Sequence, residues 1–199
     1  MLRNSQEAWG SGAKILHWLV VLLVLEQLVG GAWLSTLNLY TTADIEAYQT
    51  YVPFHKSVGL TILWVMIVRL VWRSTNRRPN FPLTVPSWQR RAALANHAAL
   101  YVLLILQPLL GLIQSDAYRA ETYYLGLFRI PHFIPDAWSR PNSDTLRLTA
   151  QNIHTVVGIL IGAAIAVHIS AALKHHFVDR DGVLRRMLPR FGTVQSGTS

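Results

Sequence analysis

The sequence predicts an all-α membrane protein, a four-transmembrane-helix bundle with both termini in the cytoplasm. Three observations carry this prediction. Four apolar runs are each close to the roughly 20 residues that cross about 30 Å of hydrocarbon at about 1.5 Å per residue. Charged residues make up 14% of the chain and hydrophobic ones 51%, where a soluble domain carries about 25% charge. The basic residues gather in alternate loops.

The runs cover residues 15–34, 54–72, 92–113 and 152–173. Backbone N–H and C=O groups must bond internally in lipid, so each run is read as a helix. Arg3 and Lys14 precede the first run. Arg73, Arg77, Arg78, Arg90 and Arg91, with no acid among them, separate the second from the third. Lys174, Arg180, Arg185, Arg186 and Arg190 follow the fourth. The loop 35–53 has Asp44 and Glu46 and no base, and the loop 114–151 balances four arginines with four acids. Short basic loops stay in the cytoplasm, which places both termini there. The chain then divides into a cytoplasmic arm (1–14), a transmembrane domain (15–173) and a basic cytoplasmic tail (174–199).

The connector 77–88 has three prolines and reads as extended. In the outer loop, Pro131 and Pro135 interrupt an aromatic stretch, which reads as lying at the membrane surface with one short interfacial helix. The last six residues read as disordered. The first run continues to Trp33 with no small-residue cleavage site after it, unlike a cleaved signal. The net charge of +8 flanks segments too apolar for a soluble nucleic-acid-binding fold and fits anionic lipid instead. Four apolar helices in a soluble bundle would not need this charge alternation. The absence of cysteine excludes disulfides, iron–sulfur clusters and thiolate sites, and leaves imidazole ligation open.

Five of the eight histidines fall within or at the edge of a run. Such side chains are costly in a membrane and mark functional sites. His154 and His168 are fourteen residues apart on the fourth run. That interval rises about 21 Å and ends about 40° short of four full turns, so both point from nearly one face. With alternating helix directions, His55 shares the outer level with His154, and His17 shares the inner level with His168. Each pair bridges two helices, as a bis-imidazole b-type haem in a bundle requires. Two haems stacked in this way span the bilayer. Gly59 and Gly158, each one turn from a histidine, leave room for a flat cofactor.

His97 lies at the inner level without an evident partner on the fourth run. It is read as a replacement for His17, as a partner of a haem propionate or quinone oxygen, or as an interfacial group. Arg69 is read as snorkelling to the interface or pairing with an inner propionate. His175 becomes the ligand if the register shifts by one turn. His132 is read as solvated. A zinc site needs more ligands than one pair supplies. Glu26, a buried acid candidate midway along the first run, keeps open a haem-free transporter or structural protein.

KILHWLV at His17, FHKSVG at His55, MIVRLVWR at Arg69, NHAALYVLLILQPLLGL at His97, NIHTVVG at His154 and VHISAALKHHFVDRDGVLRRMLP at His168 together resemble the bacterial cytochrome b561 family. The resemblance covers about residues 12–190. It implies a multi-pass protein of the bacterial inner membrane with two haem b groups, His17 and His168 on the inner one and His55 and His154 on the outer. It also implies an oxidoreductase, since similar members pass electrons from superoxide to ubiquinone. Wider relatives relay electrons from a dehydrogenase or hydrogenase partner to quinone. On the first reading, Lys56, with Arg119 or Arg129, steers superoxide to the outer haem. Trp18, Arg69 and His97 would line an inner quinone site, with Tyr123 and Tyr124 marking a competing outer one.

Overall fold

A computed structural model describes residues 1–6, 8–82 and 84–188. The tail beyond residue 188, including Arg190 and the last six residues, lies outside the described residues. Four helices account for most of the chain: α1 Ser11–Leu34, α2 Thr42–Thr75, α3 Ser87–Ala117 and α4 Thr145–Lys174. All four are long and apolar enough to cross a membrane.

Each helix contains one apolar run and outlasts it. The largest difference is at α2, which begins twelve residues before the run at Phe54. Its start is fixed locally: Thr41 Oγ1 accepts from the Asp44 backbone N–H at 3.3 Å, and Asp44 adds negative charge in the first turn. Caps of this kind contribute about 1 kcal/mol. Pro53 lies inside the helix, where lost hydrogen bonding is tolerable near polar surroundings. Helix and hydrocarbon thickness are separate quantities, and apolar runs report only the second.

Packing follows chain order. α1 packs on α2, α2 on α3 and α3 on α4. Val20 and Val24 of α1, Val58, Ile62 and Met66 of α2, Leu104 and Leu110 of α3, and Val157 and Ile161 of α4 form the core. Met66 is 1% exposed. Neither α1 and α4 nor α2 and α4 belong to the closely packed pairs. Large apolar side chains such as Leu22, Val29, Trp64, Val102 and Ile159 face outward, as a lipid-facing surface requires.

At one end of the bundle the N-terminal arm, the α2–α3 connector and the last described residues meet. Asn4 Nδ2 donates to the Arg77 carbonyl at 2.9 Å, Lys14 Nζ to Leu188 O at 2.8 Å, and Arg186 Nη1 to Asn80 O at 2.9 Å. Both ends of the described chain therefore lie at the same end of the bundle.

The loop after α3 departs from the expected interfacial helix. It forms a hairpin of β1 Thr122–Tyr124 and β2 Phe128–Ile130, pairing Tyr123 with Arg129, followed by a single 3-10 turn, Asp136–Trp138. Leu125 (φ 53°) and Gly126 (φ 69°) make the tight turn, with Leu127 N–H on Tyr124 O at 3.1 Å. Two left-handed central residues match the twist of a hairpin. Leucine in that conformation costs about 1–2 kcal/mol. Asp116 at the end of α3 anchors the following segment, accepting from the Phe133 and Ile134 N–H groups at 2.9 and 2.7 Å and bonding His132. His132 is exposed, with its imidazole tied to this carboxylate.

Candidate functional site

α4 supplies histidines at two levels. His154 and His168 are both half-buried and, in one continuous helix, about 21 Å apart along the axis.

At the lower level three imidazoles converge. The His17 ring on α1 lies 6.2 Å from the His168 ring, centroid to centroid, and the His97 ring on α3 lies 5.2 Å from it. His97 thus does face a fourth-helix partner, contrary to the sequence expectation. Arg69 of α2 places Nη2 3.0 Å from His17 Nδ1. A guanidinium only donates, so this contact makes Nδ1 an acceptor and puts the ring hydrogen on Nε2. For Nε2 to bind a metal, Nδ1 would have to carry the hydrogen instead, and Arg69 would have to release it. Tyr101 stacks under Arg69 and Arg73 at 5.6 and 5.1 Å. Trp18 lies edge-on to His17 at 5.6 Å and donates Nε1–H to Met187 O at 3.1 Å.

At the upper level His154 Nδ1 donates to the Gln107 main-chain carbonyl at 3.1 Å, leaving Nε2 with its lone pair. A backbone carbonyl fixing one ring nitrogen so that the other can bind metal is the usual support of a histidine ligand. His55 Nδ1 is buried and has no hydrogen-bond partner. Two glycines make room for these rings. A Cβ at Gly31 on α1 would lie 3.6 Å from His55 Cε1, and one at Gly111 on α3 would lie 3.3 Å from His154 Cε1.

A polar chain runs from α1 to His55. Tyr51 bonds Glu26, Gln27 Nε2 donates to Glu26 Oε2 at 2.8 Å, and the same amide reaches the His55 carbonyl at 3.2 Å. Glu26 is therefore tied across α1 and α2.

The remaining candidates are partly engaged. Arg119 pairs with Asp136 and Arg129 with Glu121, so neither is a free cation for steering an anion. Lys56 is half-buried, with Nζ 3.3 Å from Thr122 Oγ1. Tyr123 OH donates to Glu121 at 3.1 Å, and Tyr124 OH meets Thr61 at 3.3 Å. His175 Nδ1 is bound to Asp181 at 2.5 Å. Sequence reasoning missed the Gln107 carbonyl, because a backbone acceptor leaves no residue-type signal. It also missed the Arg69 contact with His17.

A family model described as prokaryotic cytochrome b561 matches residues 8–190. The chain belongs to the prokaryotic cytochrome b561 family. It is similar to "Cytochrome b561 homolog 2" of Escherichia coli K12, 29% identical over 93% of both chains. "Cytochrome b561 homolog 1" of the same organism is 29% identical over 88% of this chain and 93% of its own. "Probable superoxide oxidase CybB" of Yersinia pestis is 30% identical over 88% of this chain and 92% of its own.

As a cytochrome b561 family member this is a membrane electron-transfer protein with b-type haem. Its residues fit such a group. His55 carries an orphaned buried nitrogen, His154 is held with a free lone pair, and α1 and α2, which carry His17 and His55, are not packed closely on α4.

Proposed function

We propose that this chain holds two b haems, one between His17 and His168 and one between His55 and His154, and carries electrons from superoxide to ubiquinone across the bacterial inner membrane. The observation that carries the reading is the presence of histidine on α4 at two levels, each opposite a histidine of another helix. An ion held between two imidazoles, about 2.0 Å from each, would need their ring centroids about 6 Å apart. The 6.2 Å between His17 and His168 meets that spacing, and the 5.2 Å between His97 and His168 falls short of it. His17 is therefore the favoured ligand, with His97 beside it. Both termini would be cytoplasmic, leaving a short arm and a basic tail around residues 15–173.

Bound haem would supply the one-electron carriers. The protein's own residues do the rest. Two superoxide anions each give up one electron and leave as dioxygen; ubiquinone takes both electrons and two protons to become ubiquinol. Lys56, beside His55, gives the outer end a cation for an anionic donor. The Gln107 carbonyl holds the tautomer of His154. Trp18, Arg69 and His97 gather at the inner end, where His97 offers a hydrogen bond to a quinone oxygen, Arg69 offers charge to a propionate, and Trp18, with its N–H on Met187 O, packs edge-on to His17. The relative named as a probable superoxide oxidase favours this donor over a partner dehydrogenase.

Stopped-flow mixing of the purified protein with superoxide, with and without ubiquinone, tests the reading. Direct haem reduction by superoxide, followed by reoxidation on adding ubiquinone, is the expected result. Haem reduction that needs a partner dehydrogenase would replace it with an electron relay. Absence of haem absorbance would return the chain to a transporter or structural role.

A further inference from the structure

We propose that the turn of the β1–β2 hairpin, Leu125 to Phe128, is inserted among the lipid acyl chains at the His55 end of the bundle. The argument starts from depth. The apolar run of α2 begins at Phe54, and counting about 20 residues back from Arg73 reaches the same point. Ser57 and Thr61 follow Phe54 by three and seven residues, so they lie about 4.5 and about 10 Å further in. The hairpin is bonded to both. Leu125 N–H donates to Ser57 Oγ at 3.1 Å, the Tyr123 carbonyl lies 3.3 Å from the same hydroxyl, and Tyr124 OH meets Thr61 Oγ1.

Lipid-exposed irregular backbone is excluded from the hydrocarbon centre, and the turn lies near the hydrocarbon edge, at the level of Ser57, where its N–H groups still gain from protein partners. Ser57 and the Tyr124 carbonyl provide them for Leu125 and Leu127. The side chains at the turn have no such partners. Leu125, Leu127 and Phe128 are exposed, Leu127 by 75%. The hairpin's one cation, Arg129, sits in its middle pair and turns its guanidinium away from the turn to Glu121, ahead of β1. A turn in water favours Asn or Asp at the first left-handed position; here it is Leu125, which suits hydrocarbon. The exposed turn is continuous in depth with the outward-facing apolar belt of the helices, and that belt names its occupant as lipid. A surface covered in this way is closed to a soluble redox partner.

The chain has no cysteine, so Leu127→Cys carries a single nitroxide label without background. The full-length, haem-loaded protein is placed in phosphatidylcholine vesicles. Label collisions are measured with oxygen, which concentrates in lipid, and with a water-soluble nickel chelate. Glu46→Cys serves as the water reference and Val68→Cys, on the exposed face of α2, as the lipid reference. The expected label at position 127 matches Val68: frequent oxygen collisions and few with nickel. A nickel-accessible label like that at Glu46 overturns the proposal. Protection from both reagents also overturns it, because a protein then covers the turn. In the labelled background Leu125→Asp should shift the balance towards nickel; no shift would show that lipid does not hold the turn.

Discussion

Gly111 is where a single methyl group should separate haem binding from helix stability. Gly111→Ala places a Cβ 3.3 Å from His154 Cε1, while carbon atoms settle at about 3.5–4.0 Å. The ring must retreat by about 0.3 Å. Gln107 is one turn back on the same helix, so the retreat also stretches the 3.1 Å bond from His154 Nδ1 to its carbonyl. At about 3.4 Å that bond lies beyond the normal range. A typical intramolecular hydrogen bond contributes about 1 kcal/mol, which corresponds to about a fivefold loss of haem affinity. The helix backbone gains about 1 kcal/mol, since alanine is favoured over glycine in a helix interior, which offsets the lost bond and leaves the stability of the apoprotein little changed. Haem affinity therefore falls while apoprotein stability holds. Haem titration into the apoprotein, paired with thermal unfolding of that apoprotein, reads both. Gly162→Ala is the control, because a Cβ there meets nothing within 4 Å. Unchanged haem affinity in Gly111→Ala, or an equal loss in Gly162→Ala, would refute the reasoning.

Arg69→Leu frees His17 Nδ1 and removes a cation from the inner end; spectroelectrochemical titration should show the potential of the His17-side haem shifted and the other unchanged. Tyr51→Phe breaks the bond to Glu26 and should cost about 1 kcal/mol, read as a fall of about 2–4 °C in the unfolding midpoint. Asp144, bonded by Arg140 and Arg147 ahead of α4, has its carboxyl drawn down from 3.8 to about 2. A depressed folded-state pKa gives stability that is present above about pH 4 and lost as pH falls through about 2. Asp144→Asn should therefore flatten this acid limb in thermal unfolding measured from pH 5 to 2, and an unchanged limb would assign it to other groups.

The four helices were legible because lipid leaves the chain little choice. A run such as VVLLVL can only be satisfied as a helix. Their polar extensions were not, since residues 42–53 carry no apolar run and contain Pro53. The hairpin was hidden for a related reason: its strands are three residues long, and its Leu-Gly turn lacks the Asn or Asp that marks a turn in water. The vertical order of the histidines follows from 1.5 Å per residue. Lateral relations do not follow from rise alone. Depth matching put His97 at the right level but could not show its ring beside His168. Nor could it show Arg69 on His17, which depends on how α1 and α2 are rotated against each other. Charge counting likewise identified Arg119 and Arg129 as cations, and only the folded loop pairs them with Asp136 and Glu121.

The central claim is that four histidines hold two haems as two separate pairs. It is tested most directly by counting haem per chain in the wild type and in His17→Ala, His55→Ala, His154→Ala and His168→Ala, with a redox titration to say which haem remains. The account predicts two haems in the wild type and one in each variant. The same haem should survive in His55→Ala and His154→Ala, and the other in His17→Ala and His168→Ala. One haem in the wild type, or two retained in His17→Ala, would contradict it.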